Sequence, residues 1–299
     1  RETFVGLQGT WGTVKIGNFL APYDDIHPIF GNVPTLTTSI LSTAALWAQG
    51  SQSKINGAFD ARLGNSIRYD SPRVGGFAGS IQLAAADTSN STLTQQQNHA
   101  YVLSMGGFYA NGPFQGGIAY EANTKVRCIS CNDWAFSVAG NWNFGVAKIG
   151  GVWERLDYDV TGGSLTRNFW GISATVPIGP GEMYAFFGDA GDGSGPGGTS
   201  VGQVNAGNNT GAQQWTISYT YALSKRTLSY AGFVQTRNDS NARYNFNINP
   251  YEVVNGANAF FGVLNALRQD NLAKILAEPT LMAASGSTAS FVAGGSFYI

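Results

Sequence analysis

Trp215-Thr216-Ile217-Ser218-Tyr219-Thr220-Tyr221-Ala222-Leu223 sets every large apolar side chain at odd positions and every small or polar one at even positions. Phe114-Gln115-Gly116-Gly117-Ile118-Ala119-Tyr120-Glu121 and Trp134-Ala135-Phe136-Ser137-Val138-Ala139-Gly140-Asn141-Trp142 repeat the pattern. Period-two alternation marks half-buried strands, because successive side chains leave a strand on opposite faces. In a soluble sandwich the apolar face would be rich in Val, Leu and Ile from both sheets. Here Trp134 and Trp142, like Tyr101 and Tyr109, stand at strand ends, where aromatic girdles meet the two interfaces of a membrane.

Composition narrows the class further. Only 12% of the 299 residues are charged, against about 25% in soluble domains, while 43% are hydrophobic, 13% aromatic and 40 are glycine. Such an aromatic load excludes disorder. A mean hydropathy of -0.08, with no apolar run near ~18 residues, excludes a helical membrane protein. The net charge of -1 carries no footprint for nucleic acid. What remains is an all-β transmembrane antiparallel barrel with its apolar face in lipid and a polar lumen.

Connections support this class. Short turns fall at 9–12, 71–76, 111–113, 143–145, 179–181 and 224–226, and long ones near 18–64, 88–98, 124–132, 160–167, 192–212 and 239–287. Turns on the periplasmic side against loops on the external side distinguish outer-membrane barrels. Thirteen strands are predicted: 4–8, 13–18, 65–70, 77–87, 99–109, 114–123, 133–143, 146–159, 168–178, 182–191, 213–223, 227–238 and 289–299. Single-chain bacterial barrels use an even number, so the odd count leads us to expect further strands before Arg1. No signal peptide opens the chain, so either a signal has been removed or more than a signal is missing.

Arg1-Glu-Thr-Phe-Val-Gly-Leu-Gln-Gly-Thr-Trp-Gly-Thr-Val-Lys15-Ile-Gly17 resembles a strand–turn–strand segment of the Gram-negative trimeric porins of β-proteobacterial and neisserial type. Ser66-Ile-Arg68-Tyr-Asp70-Ser-Pro72 is similar to their next strand and turn. Ser224-Lys-Arg226-Thr, Asn238-Asp-Ser-Asn and Tyr244-Asn-Phe-Asn-Ile-Asn-Pro-Tyr251 resemble their penultimate hairpin and last loop. The resemblance covers nearly the whole chain as a single domain, 1–299. It implies sixteen strands in the full protein, the first one here being the fourth. It also implies a homotrimer in the cell outer membrane, in contact with lipid and lipopolysaccharide, passing ions and small hydrophilic solutes by diffusion. Three features depart from the family: the ending Phe297-Tyr298-Ile299 lacks a terminal aromatic, Asn18 replaces a basic residue, and the last long connection carries an apolar insert.

The resemblance also implies that loop 18–64 folds into the barrel and narrows it; an external flap is the alternative. Alternation places Lys15 and Arg68 in the lumen, at basic positions of the family motifs. Asp24, Asp25 and Asp60 on the loop and Glu121 on its strand complete the expected pore constriction. Charges facing one another there would set ion preference, with a lean towards anions. Rival readings are a solute-specific channel and a structural or adhesive barrel with a plugged lumen.

Other chemistry finds little support. Two histidines, His27 and His99, lie far apart, and four His and Cys residues in all cannot build a convincing zinc site. Gly188-Asp189-Ala-Gly-Asp192 lacks the acidic ladder of a calcium loop. No enzyme, cofactor or metal is expected. Cys128 and Cys131 read as a small disulfide in an exposed external loop, with a free dithiol as the alternative. Phe260, Leu264 and Leu267 recur at helical spacing within 239–287, which predicts an amphipathic helix capping the mouth, with a contact to a subunit or partner, or disorder, as the alternatives.

Overall fold

The computed structural model describes residues 2–36, 41–49, 58–85, 99–224, 227–244, 258–261 and 267–268. Twelve long strands follow one another as an antiparallel meander: β1 (Thr3–Gly9), β2 (Gly12–Leu20), β3 (Arg62–Asp70), β4 (Phe77–Ala85), β5 (Tyr101–Asn111), β6 (Phe114–Thr124), β7 (Asn132–Asn143), β8 (Lys148–Val160), β9 (Gly163–Ile178), β10 (Gly181–Ala190), β13 (Ala212–Ser224) and β14 (Thr227–Asn238). Each pairs with its sequence neighbour. Between β10 and β13 a separate small hairpin forms from β11 (Ser200–Val201) and β12 (Val204–Asn205). Every expected strand from 4–8 to 227–238 is present; 289–299 lies outside the described residues. Among the described residues, β1 pairs only with β2 and the sheet is not sealed.

The solvation of this sheet is inverted relative to a water-soluble protein. Its buried face carries Ser104, Glu121, Ser137, Glu154, Arg167, Gln214, Thr216 and Ser218. Its exposed face carries Ile16, Ile67, Leu83, Ile118, Val138, Trp153, Ile172 and Ile217. Exposed apolar side chains on every strand amount to a patch far larger than water tolerates. Hydrocarbon is the medium in which such a face is stable.

Two aromatic belts bound that face. At the short-turn end Phe77, Tyr109, Phe114, Trp142 and Phe144 run in continuous ring contact, with centroid spacings of 4.5, 6.1, 6.3 and 6.4 Å. Near the other end Trp170, Phe187 and Trp215 do the same, at 5.4 and 4.3 Å. Trp134 and Trp142 lie on one strand eight residues apart, about 26 Å along it, close to the apolar band of an outer-membrane barrel. Tight turns close the strands at the first belt. Between Asn111 and Phe114, Gly112 adopts φ +58°, a left-handed conformation that a side chain would strain.

One expectation fails. Residues Asn258–Phe261 form a strand, β15, paired with Gly232–Gln235, and Leu267–Arg268 form β16 against Thr227–Leu228. Phe260 and Leu267 therefore do not belong to a cap helix; Leu264 lies outside the described residues. The apolar periodicity was ambiguous, and β14 has an edge whose backbone groups lipid leaves without partners. Pairing satisfies them.

Ile118, 54% exposed at mid-strand, gives the test of the inverted face. Ile118→Arg is expected to lower folding stability in lipid vesicles by about 2–4 kcal/mol in urea titration. A neutral result would place that face in water.

Candidate functional site

The segment between β2 and β3 does not extend away from the sheet. Its short helical turns, including α1 (His27–Phe30), lie against the polar, buried face. Tyr23 N–H donates to Ser104 Oγ (3.1 Å), Asn141 Nδ2 to the Ile29 carbonyl (2.7 Å) and Tyr184 Oη to the Phe30 carbonyl (2.7 Å). Further along, Trp47 Nε1 donates to Ser137 Oγ (3.2 Å) and Gln214 Nε2 to the Ser42 carbonyl (3.1 Å). These partners lie on β5, β7, β10 and β13, so one segment spans most of the sheet's inner width.

Missing side chains on the wall make room for it. A Cβ at Gly117 would stand 2.9 Å from Ile29, and one at Gly232 would stand 2.7 Å from Leu41. The apolar residues of the segment then supply the core the sheet lacks. Tyr23 stacks on Trp47 at 5.5 Å, and Phe30, Phe59 and Ile26 pack with Tyr158, Phe169 and Phe186.

Lys15 and Arg68 sit side by side on the wall as register partners of β2 and β3. Lys15 Nζ lies 2.8 Å from Asp70 Oδ2, and Arg68 Nε donates to Asp70 Oδ1 at 2.7 Å. Arg68 also donates to Asp25 Oδ2 and to the Leu20 carbonyl (3.0 Å). Asp25 thus reaches the basic pair directly, and Asp70 is a member of the network that sequence reasoning passed over. Burial raises the Asp25 carboxyl above its ordinary range, opposed by Arg68.

Asp24 turns elsewhere. Its Oδ1 is 3.9 Å from His27 Nδ1, while His27 Nε2 and Thr43 Oγ1 share a 2.6 Å hydrogen bond. Burial depresses the His27 pKa to about 3, so the contact with Asp24 is not an ion pair at neutral pH. Burial first, and Asp25 second, push Asp24 up to about 7, against the pull of Arg62. Glu121 is fully buried on β6, opposite Ser104, with Asp60 and Asp24 the charges that act on it. The six expected residues therefore divide into a basic-side network (Lys15, Arg68, Asp25) and an acidic neighbourhood (Asp24, Asp60, Glu121).

The strongest anchor was not foreseen. Glu154 and Arg167, each 0% exposed in its side chain, pair at 2.5 Å. Glu154 Oε1 accepts from Tyr23 Oη (2.9 Å) and from the Ala48 N–H (2.7 Å), and Arg167 donates to the Leu46 carbonyl (2.5 Å). The available signal was parity: Glu154 lies between Trp153 and Arg155 at a lumen-facing position in a chain with few charges. Ala48 and Gln49 hold positive φ of 59° and 50°, costly for residues with a Cβ. That twist aims Gln49 at the external hairpin, where Nε2 donates to the Val201 carbonyl (2.8 Å) and Oε1 accepts from Gln203 N–H (2.7 Å).

Cys128 and Cys131 are joined in a disulfide, Cα–Cα 5.1 Å, in the turn between β6 and β7. Arg127 beside it holds Asp133 through two hydrogen bonds of 2.8 and 2.9 Å.

Comparison with known proteins points the same way as this geometry. The profile of a family described as Gram-negative porin matches residues 1–241. Outer membrane porin protein 32 of Delftia acidovorans is 26% identical over 247 residues, covering 80% of this chain and 64% of that protein. The chitoporin of Vibrio furnissii is 29% identical over 199 residues, 63% of this chain and 46% of that protein. The chain thus spans less than two thirds of the length of these curated relatives. Among solved structures, an anion-selective porin from Comamonas acidovorans aligns with a TM-score of 0.61 at 23% identity, over 80% of this chain and 68% of that one. OmpF of Salmonella typhi aligns with a TM-score of 0.58 at 13% identity, over 80% and 72%. At these identities the structures establish the barrel fold.

Removing one member of a buried pair leaves an uncompensated charge, at a cost of about 3–5 kcal/mol. Arg167→Met should destabilise the protein by that amount in urea titration. The double variant Glu154→Gln, Arg167→Met should recover part of the loss. Additive losses would show that the two charges are not coupled.

Proposed function

Because the chain belongs to the Gram-negative porin family, we propose that it forms a water-filled channel in the outer membrane for passive diffusion of ions and small hydrophilic solutes. The observation that carries this reading is the inverted sheet: a polar buried face with residues 20–36 and 41–49 of one segment packed across it. That segment is the constriction. On its turn side Asp25 meets Lys15, Arg68 and Asp70. Deeper in lie the carboxyl groups of Asp24, Asp60 and Glu121.

The division of labour follows from exposure. Glu154 and Arg167 are out of reach of solutes and hold the segment in place. Asp25 and Asp70 keep 34% and 26% of their side chains exposed, so their field reaches the open lumen. Opposite charges set side by side act on a passing solute's dipole more than on its net charge. The assembly we propose is a homotrimer bounded by outer-membrane lipid and lipopolysaccharide. It catalyses no reaction, takes no cofactor and binds no nucleic acid.

Planar-bilayer recording of the full-length protein tests the reading, with ohmic current expected and a sealed bilayer contradicting it. Arg68→Glu changes the wall by two charges. At ~10 Å in water this favours cations over anions by about 15-fold unscreened and about 2-fold in 0.15 M salt. The reversal potential in a salt gradient should move towards cations accordingly. An unmoved potential would remove Arg68 from the pore.

Asp24 supplies a pH dependence. With its pKa near 7, it is about 10% ionised at pH 6 and about 90% at pH 8. The cation-to-anion permeability ratio should rise over that window, and Asp24→Asn should flatten the rise. A ratio that climbs equally in the variant would assign the titration to another group.

A further inference from the structure

One open space on the solute path has a composition that the charge network does not explain. A cavity of about 310 Å³ lies on the turn side of the constriction, lined among others by Asp25, Arg68, Asp70, Phe108 and Gln115. Phe108 belongs to the lumen-facing set of β5, opposite Ala78 and Gly117. Its ring lies flat along the wall. A Cβ at Gly106 would meet it at 2.7 Å and one at Gly117 at 3.0 Å, so two glycines let it lie down. One face is thereby packed on backbone, the ring also touches the buried apolar cluster that includes Ile29, and Phe108 remains partly exposed to the cavity.

An aromatic plate serves no purpose for a simple ion, whose hydration shell it cannot replace. It suits a solute with an apolar face of its own. The polar groups around it fit the edge of such a solute. Asp25 and Asp70 present partly exposed carboxylate acceptors, held in place by Arg68 and Lys15. Gln115 Oε1 accepts from Asn141 (3.3 Å), and its NH₂ has no protein partner among the described residues. Acceptors and a donor arranged around a ring match a body with hydroxyls at its rim and C–H groups on its face. The carboxylates are already paired with Arg68 and Lys15, which leaves Arg73, held on the Gly76 carbonyl, as the lining cation outside those pairs.

Resting on the channel reading above, we infer that this cavity is a binding subsite for a neutral pyranose, stacked on Phe108 with its hydroxyls on Asp25, Asp70 and Gln115. A concave site with one flat apolar surface and few convergent polar groups is the usual form of a small-molecule site.

Cellobiose, added to the full-length channel in a planar bilayer, is the probe, with glutarate as an anionic comparison. Cellobiose should reduce ion current in a concentration-dependent, saturating way. Phe108→Leu keeps an apolar side chain and removes the flat ring; it should raise the half-blocking concentration about tenfold, or ~1.4 kcal/mol. Gln115→Leu should raise it several-fold. A conducting channel that cellobiose never saturates, or one blocked equally after Phe108→Leu, overturns the subsite and leaves the channel reading intact. Stronger block by glutarate, lost when Arg73 in the cavity lining is replaced (Arg73→Gln), also overturns it in favour of an anion site. Absence of any current overturns the channel reading and this inference with it.

Discussion

A backbone amide in hydrocarbon has no water to bond, and each one left unpaired costs several kcal/mol. This constraint governs the whole structure. It forces each strand to pair with its sequence neighbour over nearly its whole length, as β5, β6 and β7 do without a register break. It forces apolar side chains outward on every strand. It then leaves the inner face as the only place where Glu154, Arg167 and Glu121 can stand. The polar interior is therefore a consequence of the solvent outside, and function is built from what that consequence makes available.

A sheet turned inside out has no sheet-on-sheet core, and here the segment between β2 and β3 provides one. Its aromatic residues Tyr23, Phe30, Trp47 and Phe59 join Tyr158, Phe169, Tyr184 and Phe186 of the wall in one buried apolar cluster. Docking them requires room, which the wall yields at Gly106, Gly117, Gly150 and Gly232. Small residues on the wall and large ones on the segment are two halves of one packing arrangement. The result is a segment fixed at many points: its carbonyls are held by Asn141, Tyr184, Gln214 and Arg167, each anchored on a different strand.

How much of this was legible depended on whether the signal was local. Alternation in Trp215–Leu223 or Phe114–Glu121 is a property of neighbouring residues, and the twelve long strands emerge from it directly. The same parity put Lys15 and Arg68 on the polar face of the sheet, where they are register partners of β2 and β3. Their pairing with Asp70, two residues along the same strand from Arg68 and across the β2–β3 ladder from Lys15, joins residues within one period-two reading, so it was within reach. Glu154 with Tyr23 and Ala48 was not, because 131 residues separate the glutamate from the tyrosine it holds. No local pattern encodes which lumen-facing glutamate an inserted segment will meet. The stretch around Phe260 shows the opposite error. Its spacing fitted a helix, but the demand of β14 for a backbone partner is a tertiary fact that outweighs periodicity.

The two ion networks differ in what the dielectric allows them to do. Glu154 and Arg167 are wholly enclosed, so their attraction is strong, directional and invisible to solutes. Arg68, Lys15, Asp25 and Asp70 face water on one side, where each contact is worth far less for stability but its field extends into the lumen. Moving the enclosed pair to the lumen surface would loosen the segment, and enclosing the second network would silence the pore. A constriction that must stay in place and still discriminate among solutes needs both kinds of pair. In this chain they stand on opposite sides of Tyr23: Asp25 lies two residues along the segment, and the Tyr23 hydroxyl bonds Glu154. Glu154 and Arg167 set the position of the segment without showing charge to solutes, whereas Arg68 does both, holding Asp25 and the Leu20 carbonyl while it shapes the exposed network.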